Sequence, residues 1–280
     1  MTVTIIGVGL IGGSLALSLR RTGFATRIIG VDVDKNHSDE ALALNLIDEA
    51  MDLIDAVQQS DLIVISIPVN KARAILGDIL NIVKDNTVVV DMGSTKNGIC
   101  TENRYHPNRK QYVASHPIAG TEYSGPQAAI DYLFDNKKTI ICERELSADF
   151  ALKCVQSMYN ALNMEIIYMN PEVHDRHIAF VSHISHISSF ALSLTVLDIE
   201  KDEKTIFDMA GSGFSSTVRL AKSSADTWTP ILLQNADSIS YALESYIDQI
   251  QKFKNTIDCR DADQLHKLML EANNISKIIS

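Results

Sequence analysis

Cysteine is scarce in this 280-residue chain, and Cys100, Cys142, Cys154 and Cys259 are scattered without a C-x-x-C pair. That argues against a disulfide framework and for reduced thiols in a cytoplasmic protein. Basic charge is short as well: 25 Lys and Arg stand against 35 Asp and Glu, for a net charge of −10. No basic run with interleaved aromatics appears, which excludes nucleic acid and anionic membranes as partners. An anionic small molecule stays admissible if single arginines receive it. Low-complexity tracts and internal repeats are absent, and there is one tryptophan, Trp228. Residues 1–19 carry no charged side chain and precede Arg20 and Arg21, a pattern that raises a signal anchor or membrane helix. The run lacks a basic leading segment and holds four glycines at motif spacing, so it is read instead as part of a soluble fold. With 46% hydrophobic residues over 280 positions, two domains are expected.

What is present begins at the N-terminus. Thr2 to Ile6 reads as a short apolar strand, and Gly7-x-Gly9-x-x-Gly12 opens a helical pattern through Leu15 and Leu19. A second apolar run, Ile28 to Val31, ends at Asp32, twenty residues beyond Gly12. Together these make a dinucleotide fingerprint, with Gly7, Gly9, Leu10, Ile11 and Gly12 as the pyrophosphate-contacting segment. Asp32 would accept hydrogen bonds from the adenosine ribose and repel a 2′-phosphate, and no arginine follows closely, so the expected cofactor is NAD. The bland alternative is a βαβ unit whose glycines only make a turn.

Further apolar runs alternate with helical stretches: Asp61 to Ile67 ending at Pro68, Thr87 to Asp91 leading into Ser94, and Gln111 to Ala114 ending at Ser115-His116. Thr139 to Cys142 and Met164 to Met169 flank a helical Ala148 to Leu162. This alternation predicts an α/β Rossmann-type, doubly wound parallel sheet over residues 1–170. Ligands of such sheets sit at the carboxyl ends of the strands, so Pro68, Ser94 and His116 should face one crevice.

From residue 171 to 280 the pattern is helical almost throughout. Glu172 to Leu197 is apolar on nearly every face, which predicts a helix buried on several sides and fit for a subunit interface. Asp226 to Phe253 reads as a second long helix and Asp261 to Ile279 as a third, amphipathic one. An all-α C-terminal domain that forms a homodimer is expected.

Three clusters can carry chemistry. His116 leads into Gly120, Thr121, Glu122 and Gly125, a loop that should not bury a histidine in a core. A neutral imidazole beside a nicotinamide can accept a proton as hydride leaves a hydroxyl-bearing carbon. His174, His183 and His186 form the second cluster. Without a carboxylate or cysteine at matching spacing it suits interhelical or substrate contacts better than a metal, and His174-Asp175 could equally be a helix N-terminal charge arrangement. The third, Gly211 to Arg219, is a flexible hydroxyl-rich lead into a helix. Its arginine either grips a carboxylate through two parallel hydrogen bonds or is simply solvated. Trp228 is a core or interface anchor by default.

The fingerprint, S-H-P-I-A-G-T-E at 115–122, H-D-R at 174–176, S-H-I-S-H at 182–186 and the spacing from Arg219 to Trp228 together resemble the prephenate dehydrogenase family over nearly the whole chain. The resemblance implies oxidation at C4 of prephenate with loss of CO2, giving 4-hydroxyphenylpyruvate for tyrosine biosynthesis. It implies that His116 hydrogen-bonds the C4 hydroxyl and that Ser94 shares it. Thr121 and Glu122 would line the mouth, Arg219 would bind a substrate carboxylate, His186 and His183 would approach from the helical domain, and Trp228 would shape the pocket. Two positions depart from the family pattern: Ser185 replaces a usual proline, and Ser216 stands where relatives using arogenate commonly carry an acid. The second departure favours prephenate. The length is also too small for an added chorismate mutase or a full regulatory domain. The rivals are arogenate dehydrogenase, a two-domain hydroxy-acid dehydrogenase, which would want a lysine that Glu172 to Leu197 lacks, and a non-catalytic NAD(H)-sensing regulator.

Overall fold

A computed structural model describes every residue except Asp202, Lys204, Ile279 and Ser280. From the N-terminus run β1 (Thr2–Ile6), α1 (Leu10–Arg21), β2 (Arg27–Val31), α2 (Lys35–Ala43), β3 (Glu49–Ala50), α3 (Leu53–Gln59) and β4 (Leu62–Ile65). Then follow α4 (Val69–Ile82), β5 (Val88–Asp91), α5 (Asn97–Asn103), β6 (Tyr112–Pro117), β7 (Lys138–Cys142), α6 (Asp149–Ala161) and β8 (Glu165–Met169). The strands form one sheet in the order β3-β2-β1-β4-β5-β6-β7-β8. The order steps outward from β1 in both directions, as in a doubly wound sheet.

Two apolar layers hold the sheet. Val3, Ile5, Leu62 and Val64 face Leu15 and Leu19 of α1. Their sequence neighbours Ile63 and Ile65 face Leu76 and Ile79 of α4. Burial on both faces explains why β4 reads as an unbroken Leu-Ile-Val-Ile run rather than an alternating one. Each such side chain contributes about 1.5–3 kcal/mol by leaving water.

One pairing departs from the parallel expectation: β6 and β7 run antiparallel, with Ser115 opposite Ile141 and His116 opposite Ile140. The connection between them holds only a short 3₁₀ turn at Pro126–Ala128. Without a crossover helix to carry the chain back along the sheet, β7 returns in the opposite direction. α6 then restores parallel pairing between β7 and β8.

Beyond the sheet come α7 (Pro171–Ile178), a five-residue π-helical turn at Ala179–His183, and α8 (Ile184–Glu200). Asn170 caps α7 by accepting from the backbone N–H groups of Glu172 and Val173. The burial expected for Glu172 to Leu197 holds only in its first half, where His174, Asp175, Ile178, Ala179 and His183 are buried; in α8 Ser189 is the one buried residue among the described residues. Val181, Leu194, Leu197 and Ile199 stand exposed, so the apolar faces of the sequence remain uncovered on this chain. Pro171–Glu200 is long and apolar enough to cross a membrane by length and composition. A helix covered by another protein surface meets the same description.

Two other expectations are corrected. Gly211 to Arg219 is not a flexible lead but the short α9 (Ser212–Thr217) followed by a 3₁₀ turn at Arg219–Lys222. The single helix expected over Asp226 to Phe253 is two, α10 (Ala225–Gln234) and α11 (Ala236–Asp258), interrupted at Asn235. Asn235 leaves the helical conformation while its side chain bonds the carbonyl oxygen of Asp175 at 2.6 Å. By contact density the chain divides into Met1–Asn235 and Ala236–Ser280. The second unit comprises α11, α12 (Ala262–Asn273) and a 3₁₀ turn at Asn274–Lys277; Ile279, the expected end of the last helix, lies outside the described residues.

Candidate active site

The turn from β1 to α1 is built by its glycines. Gly7 adopts φ +91°, and a Cβ on Gly12 would stand 2.0 Å from the Gly7 carbonyl oxygen, so α1 begins in direct contact with the end of β1. A Cβ on Gly9 would meet nothing nearer than the Gly125 nitrogen at 3.9 Å. The space over Gly9, ahead of the α1 N-terminus and next to Leu10 and Ile11, is therefore open for an anion. Asp32 follows β2 and accepts from the backbone N–H groups of Val8 at 3.1 Å and Asp34 at 3.0 Å. The adjoining cleft is lined by Asp32, Asp39, Asp52 and Asp55 with Lys35. Pro68 stands at the start of α4, beyond the carboxyl end of β4, and the half-buried Ser94 lies in the loop after β5. These residues fit a dinucleotide: a backbone cradle for pyrophosphate and an oriented carboxylate for ribose.

His116 was expected at a strand end, leading into a loop that should leave it unburied. It does lie near the end of β6, paired with Ile140 of β7, but it is buried, at 8% exposure. Its Nδ1 is 2.9 Å from Nε2 of His174, and His174 Nδ1 is 2.7 Å from Oδ1 of Asp175. Burial first, then the charges of His174, Lys96 and His183, hold the His116 imidazole well below its ordinary pKa, so it is neutral at physiological pH. Asp175 does not serve the start of its own helix. Its carboxylate accepts from the backbone N–H groups of Lys96 at 2.7 Å and Asn97 at 2.8 Å, capping α5 from α7.

Under this histidine pair lies a second polar group that composition did not reveal. The fully buried Lys96 ammonium pairs with Asp91 and donates to the Ser115 carbonyl oxygen at 2.7 Å. Asp91 also accepts from the Tyr112 hydroxyl at 2.7 Å and the Gly93 backbone at 2.9 Å. A buried ion pair persists only when its remaining hydrogen bonds are satisfied, and here they fix the ends of β5 and β6 to each other. The signal available was D-M-G-S-T-K at 91–96, an acid and a lysine around a strand-ending turn.

On the helical side, His183 and His186 do not share one environment. His183 is buried and accepts from Asn235 Nδ2 at 3.2 Å; its Nε2 has no partner among the described residues. Burial lowers its pKa to about 4. His186 stacks on Trp228 with ring centroids 3.4 Å apart, while His183 meets the same indole edge-on at 5.9 Å. Arg219, half-exposed, forms an ion pair with Glu122 at 2.7 Å, so the loop after His116 is tied to the turn after α9. Thr121 accepts from the Tyr123 backbone at 3.2 Å. Ser216 is exposed on α9. Among the described residues, no three His, Cys, Asp or Glu side chains are grouped to hold a metal ion.

Comparison with known proteins gives the family. The prephenate dehydrogenase nucleotide-binding domain matches residues 15–168 and the prephenate dehydrogenase dimerization domain residues 170–271. Prephenate dehydrogenase of Bacillus subtilis is 30% identical over 276 residues, 98% of this chain and 74% of that protein. Cyclohexadienyl dehydrogenase of Zymomonas mobilis is 29% identical over 94% of this chain and 90% of its own length. The crystal structure of prephenate dehydrogenase from Aquifex aeolicus, in complex with hydroxyphenyl propionate and NAD+, superposes with a TM-score of 0.90 at 32% identity, covering 100% of this chain and 98% of that one. With a glycine cradle, a buried histidine at the end of β6 and both domain matches in place, the chain belongs to the prephenate dehydrogenase family.

Proposed function

We propose that the chain oxidises prephenate with NAD, releasing CO2 and 4-hydroxyphenylpyruvate in the cytoplasm. The observation that carries the reading is His116, neutral and buried on β6, the strand next to β5, whose following loop holds Ser94. An uncharged imidazole can accept a hydrogen bond from a substrate hydroxyl, whereas an imidazolium can only donate. Gly7, Gly9, Leu10, Ile11 and Gly12 hold the pyrophosphate and Asp32 the ribose, with Pro68 and Ser94 farther along the crevice. The cofactor supplies the hydride acceptor. The four aspartates around the adenosine end support NAD over NADP, because a 2′-phosphate there would meet like charge.

Ser94 shares the C4 hydroxyl with His116 and aligns it. Arg219 receives a substrate carboxylate by releasing Glu122. As a partly exposed pair that contact contributes at most about 1 kcal/mol, so substrate displaces it readily. Thr121 lines the mouth, and the stacked His186 and Trp228 form an aromatic wall with His183 behind it. Since aromatisation drives the reaction, the site has mainly to orient C4 and polarise one oxygen. Ser216 offers a hydroxyl where an ammonium would need a carboxylate, which supports prephenate over arogenate. Residues 1–170 form the nucleotide-binding domain, and 171–280 the substrate-binding and dimerisation domain. The exposed Val181, Leu194, Leu197 and Ile199 provide the surface for a second copy.

The test is turnover of purified protein with prephenate or arogenate, each with NAD or NADP. Reduced nicotinamide is expected fastest with prephenate and NAD; turnover of arogenate alone overturns the substrate assignment.

A further inference from the structure

Behind the imidazole that faces substrate, two more side chains continue inward in single file. His116, His174 and Asp175 are joined at 2.9 and 2.7 Å, and their exposures are 8%, 2% and 4%. We propose that His174 and Asp175 are a closed proton store for His116: they fix which of its nitrogens is bare, take up the charge when it is protonated, and return the proton to the same substrate oxygen. This rests on the dehydrogenase reading above.

The direction of each hydrogen bond follows from its neighbours. Backbone N–H groups can only donate, so the Asp175 carboxylate acts as acceptor toward Lys96 and Asn97 at both oxygens. His174 Nδ1, facing Oδ1 of that acceptor, carries the hydrogen. In a neutral His174 the Nε2 is then bare and receives the Nδ1–H of His116. His116 Nε2 is the one ring nitrogen left with a lone pair, and it is the atom free to meet substrate. Without His174 the two tautomers of His116 would compete, and the one bearing Nε2–H cannot accept from a hydroxyl.

The store also answers a problem of charge. Burial, with His174, Lys96 and His183 around the ring, makes His116 a poor place to keep a proton, whereas His174 has a carboxylate at hand. As the C4–H bond breaks, its electron pair leaves as hydride to oxidised nicotinamide. The O–H electrons form the C4 carbonyl, and the hydroxyl proton passes to His116 Nε2. The Nδ1 proton of His116 moves to His174 Nε2, leaving an imidazolium against Asp175. When the C1–carboxylate bond breaks and its electrons aromatise the ring, CO2 leaves, the C4 oxygen takes its proton back, and His174 returns its own to His116. No proton is released overall, so the chain needs no path to water, and its burial keeps the proton from being lost.

The test uses histidine labelled with ¹⁵N in the unliganded protein, together with His174→Gln and His174→Phe. A glutamine amide can accept from His116 Nδ1–H and donate to Asp175, yet it cannot carry a proton. The wild type should show a bare His116 Nε2 and a protonated Nδ1. His174→Gln should keep that pattern while kcat falls about 10- to 10²-fold with KM within about threefold. His174→Phe should show Nε2–H on His116. An Nε2–H signal in the wild type, or a wild-type kcat in His174→Gln, overturns the proposal, and both readings stand even if His174→Phe does not fold. A wild type inactive on prephenate and arogenate would instead defeat the functional reading, while the nitrogen shifts would still decide the tautomer.

Discussion

Two glycines five residues or fewer from the start of α1 separate what the fold needs from what the cofactor needs. In Gly12→Ala the new methyl would stand 2.0 Å from the Gly7 carbonyl oxygen, 2.7 Å from Ser66 Oγ and 2.8 Å from Ile5 Cγ2. The serine can rotate, but a backbone oxygen cannot. To restore a 3.4 Å contact, α1 and the end of β1 must separate by about 1.4 Å. Overpacking of this kind costs about 1–3 kcal/mol, which in a chain of this size lowers Tm by roughly 2–6 °C. The displaced cradle should also weaken NAD by about 10²-fold, as an ångström of misplacement commonly does. In Gly9→Ala the methyl has no neighbour within the chain closer than 3.9 Å. Its Tm should stay within about 1 °C of the wild type, while NAD binding falls because the methyl occupies the pyrophosphate's place. Thermal unfolding without ligand and a fluorescence titration with NAD measure both. Equal losses of Tm in the two variants, or full NAD affinity in Gly9→Ala, would refute the division of labour.

For Arg219→Gln, loss of one charge-assisted contact worth about 1.5–3 kcal/mol should raise KM for prephenate roughly 10- to 10²-fold with kcat little changed; an ordinary KM would show that another group holds the carboxylate. Asp32→Ala should narrow the preference for NAD over NADP by roughly tenfold, the equivalent of one hydrogen bond, and an unchanged ratio of the two kcat/KM values would count against the ribose role. Burial pushes His183 down to about 4, while an unfolded imidazole titrates near 6.5. The unfolded chain therefore binds the proton first, so this contribution to stability, about 3 kcal/mol, is complete above about pH 6.5 and is lost as pH falls toward 4. Tm measured from pH 7.5 to 4.5 should drop more steeply in the wild type than in His183→Gln; parallel curves would contradict the assignment.

The nucleotide-binding half was legible because its determinants are local. Gly7, Gly9, Gly12 and Asp32 sit within one βαβ unit, and fixed spacing is enough to recognise them. The reversal at β7 was not, since an apolar run such as Thr139 to Cys142 has the same pattern in either direction. Nor was the environment of His116. It pairs with a residue 58 positions away, and no periodicity encodes a contact between a strand and a helix so distant in sequence. The break at Asn235 escaped notice for a similar reason. It depends on carbonyl and imidazole partners 60 and 52 residues distant, whereas Pro230, a stronger local breaker, sits inside α10.

The π-helical turn at Ala179–His183 acts on the helix that follows as a change of phase. Accommodating one additional residue per turn rotates everything downstream by about 100° relative to a uniform α-helix. Ser185 stands where a proline is usual, yet the distortion is present without one. It sets His183 toward Asn235 and His186 flat against Trp228. Deleting a single residue within this turn would therefore act at a distance: His186 and the whole apolar face of α8 would swing to a different side, breaking the stack on Trp228 and moving the surface proposed for a second copy. A relative one residue shorter in this segment would align with this chain across a single gap and still turn different residues of the following helix to the same side.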